Sequence, residues 1–289
     1  MSAQQFLVTG VTGNTGSRVA AGLRQLGHAV RGGSRTGTPP FDWDDPSTWR
    51  AALRGIDAVY IAAPMTGALR VGAAGSVGFR SAAVAEFVAT AHACGVRRFV
   101  LLSGRSARAN PASPYMIALE ESVRRIEAEW TVLSPGVFNQ NFLAEPLLSG
   151  IRHGRVTHVA TGPVANLDFI DVADIAEVAV RTLTTPGHAG KVYELSGPRA
   201  FPQEEAVGII GRTLRRDIGY VRVELDEWVR RARAEGLTSD SIDFVSVAAR
   251  GHSSGAYSHP FDGVEQVLGR PPRSFEAFAR EAAATGAWQ

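Results

Sequence analysis

The stretch from Gln4 to Arg35, QQFLVTGVTGNTGSRVAAGLRQLGHAVRGGSR, decides the fold of this 289-residue chain. An apolar run, Phe6–Val8, leads into Gly10, Gly13 and Gly16, then into a helical pattern from about Asn14 to Leu26, then into a second apolar run ending in Gly-Gly-Ser-Arg. Glycine at the first position permits a tight turn. At the second it lets the main chain approach an anion, and at the third it lets the helix pack on the strand. The opening of a helix carries unbonded N–H groups and the positive end of the dipole. A strand, a glycine loop and a helix in this order form a cradle for a diphosphate. Thr12, Asn14 and Thr15 belong to the same loop.

Outward from this unit, apolar runs and helical segments continue to alternate. A helix starting at Pro46, with Asp45 as its cap, runs through DPSTWRAAL. After it come DAVYIAAP, the helix SAAVAEFVATAHACG, RRFVLLSG, the helix SPYMIALEESVRRIEAE and WTVLSPG. The runs do not alternate polar with apolar, as expected of strands covered on both faces. The pattern predicts an α/β chain with a Rossmann-type, doubly wound parallel sheet. Residues 1–150 are expected to form the dinucleotide-binding domain, with strands contributed from about 156–196. Residues 197–289 are expected to form a smaller, mainly helical lobe over the strand ends, where ligands of open α/β sheets sit.

The end of the second strand selects the nucleotide. An acid there would bind a ribose 2′-hydroxyl and repel a 2′-phosphate. Here stand Arg31, Ser34 and Arg35, with no acid before Asp42. Guanidinium and hydroxyl suit a phosphate monoester, so the expected cofactor is NADP(H). FDWDD (41–45), read as following a third strand, offers Asp42 to the adenine amine. Ala62, Ala63 and Pro64 leave room for a ribose.

The bulk figures narrow the alternatives. The chain is 45% hydrophobic and 20% charged with a net charge of +2, as a soluble globular protein should be. Its arginine doublets read as solvated helix faces, so no nucleic-acid partner is expected. The single cysteine, Cys94, excludes an internal disulfide and suits a reducing compartment. No run approaches the ~20 apolar residues that span a bilayer, and no leader pattern precedes Phe6. A cytoplasmic monomer or homodimer is expected. The seven histidines lack metal spacing, and His153 and His158 are expected at the surface. No G-x-S-x-G elbow supports serine hydrolysis. In DFIDVADIAE, Asp171 or Asp174 reads as a helix cap. MTGALRVGAAGSVGF (65–79) is expected to be a mobile flap.

Together VTGVTGNTGSRV, FDWDDPSTWRAALRGIDAVYIAAP, GVRRFVLLSG, WTVLSPGVFNQNF, DFIDVADIAEVAVRTL and HAGKVYELSGPRAF resemble the atypical short-chain dehydrogenase/reductases. The likeness is to the NmrA-like branch, and within it to the ergot-alkaloid iminium reductase subgroup. The resemblance spans nearly the whole chain and implies a site. Ser103 stands where the family's active-site serine sits, and Tyr115 near the tyrosine of its Tyr-x-x-x-Lys motif. Pro135, Gly136, Val137 and Phe138 correspond to the loop that contacts the nicotinamide. Met65, Tyr115, Asn141 and Phe142 fall on the substrate side. The motif's lysine is replaced by Leu119. Without it Tyr115 is expected to titrate near ~10 and to relay protons poorly. That disfavours ketone reduction, which makes an alkoxide. It favours reduction of an iminium or of an activated C=C or quinone in a small hydrophobic metabolite, in secondary metabolism. A non-catalytic NADP(H) sensor and a redox-neutral isomerase, dehydratase or cyclase on the same fold are the alternatives.

Overall fold

Gln5–Thr9 (β1) pairs in parallel with Ala29–Gly33 (β2) on one side and with Ala58–Ala62 (β3) on the other. Arg98–Leu102 (β4) and Glu129–Pro135 (β5) extend the sheet from β3. The next two strands, Arg155–Ala160 (β6) and Asn166–Leu167 (β7), leave the sheet, and Lys191–Leu195 (β8) returns to its edge. The order is β2-β1-β3-β4-β5-β8, with every pairing parallel. This computed structural model describes residues 4–63, 77–108, 113–237 and 239–289.

Both faces of the sheet are covered, which is why its strands read as unbroken apolar runs. Asn14–Gln25 (α1) supplies Val19, Ala20 and Leu23 to one face. Trp49–Leu53 (α2), Val77–Ala93 (α3) and Pro114–Arg124 (α4) cover the other, through residues such as Trp49, Phe87 and Leu119. Past Leu147–Arg152 (α5), Val172–Thr184 (α6) joins α1 on the first face. Asp45 caps the turn before α2 by accepting from Ser47 N at 3.1 Å, as the Asp-Pro pair predicts. Asp171 caps α6 by accepting from Ala173 N at 2.8 Å, which settles the choice between Asp171 and Asp174.

Two expectations require correction. No strand precedes FDWDD among the described residues: after β2 the chain turns, Phe41 N donating to Ser34 O at 2.9 Å, and Asp42 and Asp45 form only an isolated bridge. Phe41 and Trp43 pack on Phe87 of α3 instead of extending the sheet. Of the strands expected from 156–196, only β8 joins the main sheet. β6 pairs in parallel with Gly219–Glu224 (β10), and β7 pairs antiparallel with Phe201–Pro202 (β9).

The lobe accordingly has its own core. Val137, Phe142, Phe169 and Phe201 meet Gln203–Leu214 (α7) and the last helix there. Leu225–Ala234 (α8) and Ser239–Ser253 (α9) follow β10. Gly263–Leu268 (α10) then crosses back to the sheet, where Val264 and Val267 are buried beside α6. Phe275–Ala284 (α11) ends in the lobe core, with Trp288 Nε1 donating to Phe142 O at 2.8 Å.

Candidate dinucleotide and substrate site

The glycine loop closes as its spacing demands. Gly10 has φ +61°, and Gly13 N donates to its carbonyl at 2.8 Å. A Cβ on Gly16 would sit 2.2 Å from Gly10 O, so only glycine lets α1 approach β1 this closely. Gly13 caps α1 without a side-chain bond. The N–H groups of Asn14, Thr15 and Gly16 have no acceptor among the described residues. Thr12, Gly13 and Asn14 are exposed, while Thr15 and Gly16 are buried beneath them. Free amides at the start of a twelve-residue helix, over a cradle that a Cβ would fill, fit a diphosphate. Ala62 and half-buried Ala63 border the loop, Ala62 N accepting no carbonyl but donating to Thr9 Oγ1 at 2.9 Å. Pro64 and Met65, with the expected flap through residue 76, lie outside the described residues.

At the end of β2, Ser34 and Arg35 follow directly on Gly33, which pairs with Thr9 beside the loop. Arg35 is exposed and makes no hydrogen bond or ion pair among the described residues. Arg31 does not join them. It lies mid-strand, and its Nη1 donates to Ala52 O at 2.7 Å and Arg54 O at 2.8 Å, satisfying carbonyls at the end of α2. Asp42 is likewise committed locally: Oδ1 accepts from Asp44 N at 3.0 Å and the carbonyl from Trp49 Nε1 at 2.6 Å.

The carboxyl ends of β4 and β5 assemble the second half of the site. Ser103, the first residue beyond β4, is 7% exposed and donates its hydroxyl to Glu120 Oε1 at 2.9 Å. Glu120 is held on α4 by Arg108 at 3.1 and 3.2 Å and by Arg124 at 2.8 Å. Tyr115 and Leu119, one turn apart on α4, both pack into the core under α3 and α4, with Leu119 only 1% exposed. A lysine at 119 would be buried among apolar side chains.

Pro135, Gly136, Val137 and Phe138 run off β5 at the same edge. Gly136 N donates to Leu195 O at 2.8 Å, and Ile170 N donates to Val137 O at 2.8 Å. A Cβ on Gly136 would lie 2.3 Å from Asp168 Oδ1, so this glycine makes room for Asp168. Phe138 bridges Ile170. Asn141 is exposed in the short helical turn that follows. Phe142 is not on the substrate side: it is 1% exposed and packed on Phe169 and Phe275 in the lobe core.

Behind this loop lies an ion pair that the sequence reading missed. Arg105 Nη1 meets Asp168 Oδ2 at 2.6 Å, Nη2 donates to Leu195 O at 3.0 Å, and the guanidinium lies 4.0 Å over the Phe261 ring. Burial pushes the Asp168 carboxyl up to about 8 against the pull of Arg105, and lowers Arg105 against the pull of Asp168 and Glu194. The only sequence signal was an arginine two residues past Ser103. Asp168 was hidden among the capping acids of DFIDVAD.

In the lobe, a cavity of about 210 Å³ is lined by His158, Tyr220, His252, Gln203, Ala160 and Leu167 among others. His153 is exposed as expected, but His158 is half-buried and bonded to the Tyr220 hydroxyl. Among the described residues no His, Cys, Asp and Glu group could hold a metal ion, and no helix is long and apolar enough to cross a membrane.

Residues 10–186 match the model of a family described as NAD(P)H-binding. An uncharacterized oxidoreductase of Bacillus subtilis is 34% identical over 98% of this chain and 97% of its own. Agroclavine dehydrogenase of Claviceps fusiformis is 27% identical over 96% of each chain. Among solved structures, the NADPH complex of an NADPH-dependent quinone oxidoreductase of Escherichia coli superposes with a TM-score of 0.76, at 19% identity over 96% of this chain and 99% of that one.

Proposed function

The chain belongs to the NAD(P)H-binding family and is an NAD(P)-dependent oxidoreductase of the NmrA-like, atypical short-chain dehydrogenase/reductase type, and from that premise we propose that it uses NADPH to reduce a C=N bond, or a conjugated C=C or quinone, in a small hydrophobic metabolite. When bound, the dinucleotide supplies a hydride. The amides of Gly13 to Gly16 would hold its diphosphate, Ser34 and Arg35 its 2′-phosphate, and the Pro135–Phe138 loop its nicotinamide.

One observation carries the choice of substrate class. Leu119 fills the place of the motif lysine, and the Ser103 hydroxyl is given to Glu120. Neither is arranged to protonate an alkoxide as it forms, so a simple ketone is a poor acceptor. An iminium becomes a neutral amine and needs no acid. A conjugated acceptor becomes a delocalised enolate or phenolate, which solvent can protonate. The names of the agroclavine dehydrogenase and the quinone oxidoreductase are consistent with both classes, and a role in secondary metabolism follows the first.

The test is a fluorescence titration with NADPH and NADH, followed by NADPH consumption against cyclic iminium ions, enones, quinones and simple ketones. Tighter NADPH binding and turnover confined to the first three classes is the expected result. Tight NADPH binding with no turnover on any class would replace this reading with a redox sensor.

A further inference from the structure

Ser103 lies between the ends of β3 and β5, since Leu102 pairs with Ala62 and Leu133, on the sheet face that α4 covers. A serine hydroxyl has one proton and two lone pairs. Here the proton goes to Glu120 Oε1 at 2.9 Å. Glu120 cannot return one. Arg108 contacts both of its oxygens, at 3.1 and 3.2 Å, and Arg124 contacts Oε2 at 2.8 Å, which keeps it a carboxylate that only accepts. Arg108 is itself fixed by donating to Ser134 Oγ at 3.0 Å. A ligand group that reaches Ser103 therefore meets lone pairs.

We infer that Glu120 sets the polarity of Ser103, turning an electron-rich oxygen toward the cleft and selecting a hydride acceptor that carries positive charge, an iminium ion, over one that builds negative charge on oxygen. The inference rests on the reductase reading above and narrows it. Hydride arriving with its electron pair at the iminium carbon sends the C=N π electrons to nitrogen. A neutral amine and the oxidised dinucleotide result, and no proton is consumed. The same hydride added to a quinone drives electrons onto a carbonyl oxygen, which then takes a proton from water, and the Ser103 lone pairs oppose that charge. The iminium charge exists before transfer and is lost during it, so Ser103 acts on ground-state binding and its effect falls on KM. Glu120 is a positioning residue.

Wild type, Ser103→Ala and Glu120→Gln are assayed with NADPH against N-methyl-3,4-dihydroisoquinolinium, a fixed cation, and against menadione. Ser103→Ala should raise KM for the cation about tenfold, the scale of a hydrogen-bonding dipole lost to a charged group, with kcat retained and menadione reduction undiminished. In Glu120→Gln the amide NH2 settles where Oε1 stood, meeting one arginine contact there instead of two. It then faces Ser103, whose proton turns to the cleft. KM for the cation rises and kcat for menadione rises with it. A merely structural role would lower both substrates together, and that result, or an unchanged KM for the cation in Ser103→Ala, overturns the inference while leaving the reductase reading intact. Turnover of neither substrate by wild type would sink the reductase reading. The polarity is then decided by calorimetry with N,N-dimethyl-1,2,3,4-tetrahydroisoquinolinium, a cation with no reducible bond: weaker binding to Ser103→Ala upholds it, and equal binding overturns it.

Discussion

Arg105 Nη1 stands 2.6 Å from Asp168 Oδ2, and neither side chain is more than 2% exposed. The pair sits where three parts of the chain converge: the end of β4, the loop that needs Gly136, and the tail that brings Phe261 over the guanidinium. Two charges withdrawn from water are costly, and here burial works against the charged form of each. Such a pair fixes geometry more than it stabilises.

Removing one partner leaves the other buried and uncompensated. Arg105→Met should therefore cost about 3–5 kcal/mol, the range for breaking a buried pair. Urea unfolding of the two proteins, with unchanged m, is the measurement. A loss below about 1 kcal/mol would mean that water reaches Asp168.

Arg31 and Arg35 should separate cleanly. Arg35→Glu removes a charge-assisted contact and adds repulsion, so NADPH affinity should fall on the order of a hundredfold while NADH affinity barely moves. Arg31→Ala should leave the NADPH/NADH ratio unchanged and lower thermal stability, because it strips two carbonyls of their donor. Equal losses for both nucleotides in Arg35→Glu would remove Arg35 from the phosphate site.

That contrast shows what a sequence exposes and what it conceals. Gly10, Gly13 and Gly16 were legible because backbone geometry admits few residues there, and the strands because burial on both faces leaves unbroken apolar runs. Asp45 and Asp171 were legible as caps because capping is local. Arg31 and Arg35 look equivalent on paper. Their fates diverge through where the end of α2 falls against β2, a tertiary fact. Phe41 and Trp43 read as a strand because aromatic residues suit both a strand and a helix-covered surface. Phe142 could be placed only once Phe169 and Phe275 were seen around it. Glu120 and Asp168 find partners 12 and 63 positions away, in Arg108 and Arg105, and no spacing announces such pairs.

Gly16→Ala and Gly136→Ala should fail in different ways. At 16 the added Cβ meets main-chain oxygen at 2.2 Å, so α1 must move off β1, and NADPH binding is lost with stability. At 136 it meets Asp168 Oδ1 at 2.3 Å, beyond the diphosphate cradle. There kcat should fall at least tenfold with NADPH affinity nearly retained, since a misplaced nicotinamide loop disturbs the reaction geometry before it disturbs the phosphates. Affinity lost equally in both variants would place Gly136 in the cradle rather than at the reacting end.

The lobe should weaken in acid. The His158 and His252 rings are 6.2 Å apart, and burial pushes both imidazoles down to about 4, with His252 and Arg222 adding to the effect on His158. Tyr220 bonds His158, and Tyr257 packs on His252. In the unfolded chain the same imidazoles take up protons near 6.5. Between those values the unfolded state binds protons that the folded state refuses, so this part of the stability is present above about 6.5 and is lost as pH falls toward about 4. Melting temperatures measured from pH 7.5 downward should fall in wild type through this window, and less steeply in His252→Gln, which has one fewer site to protonate. Parallel curves for the two proteins would mean that His252 is already charged in the folded lobe.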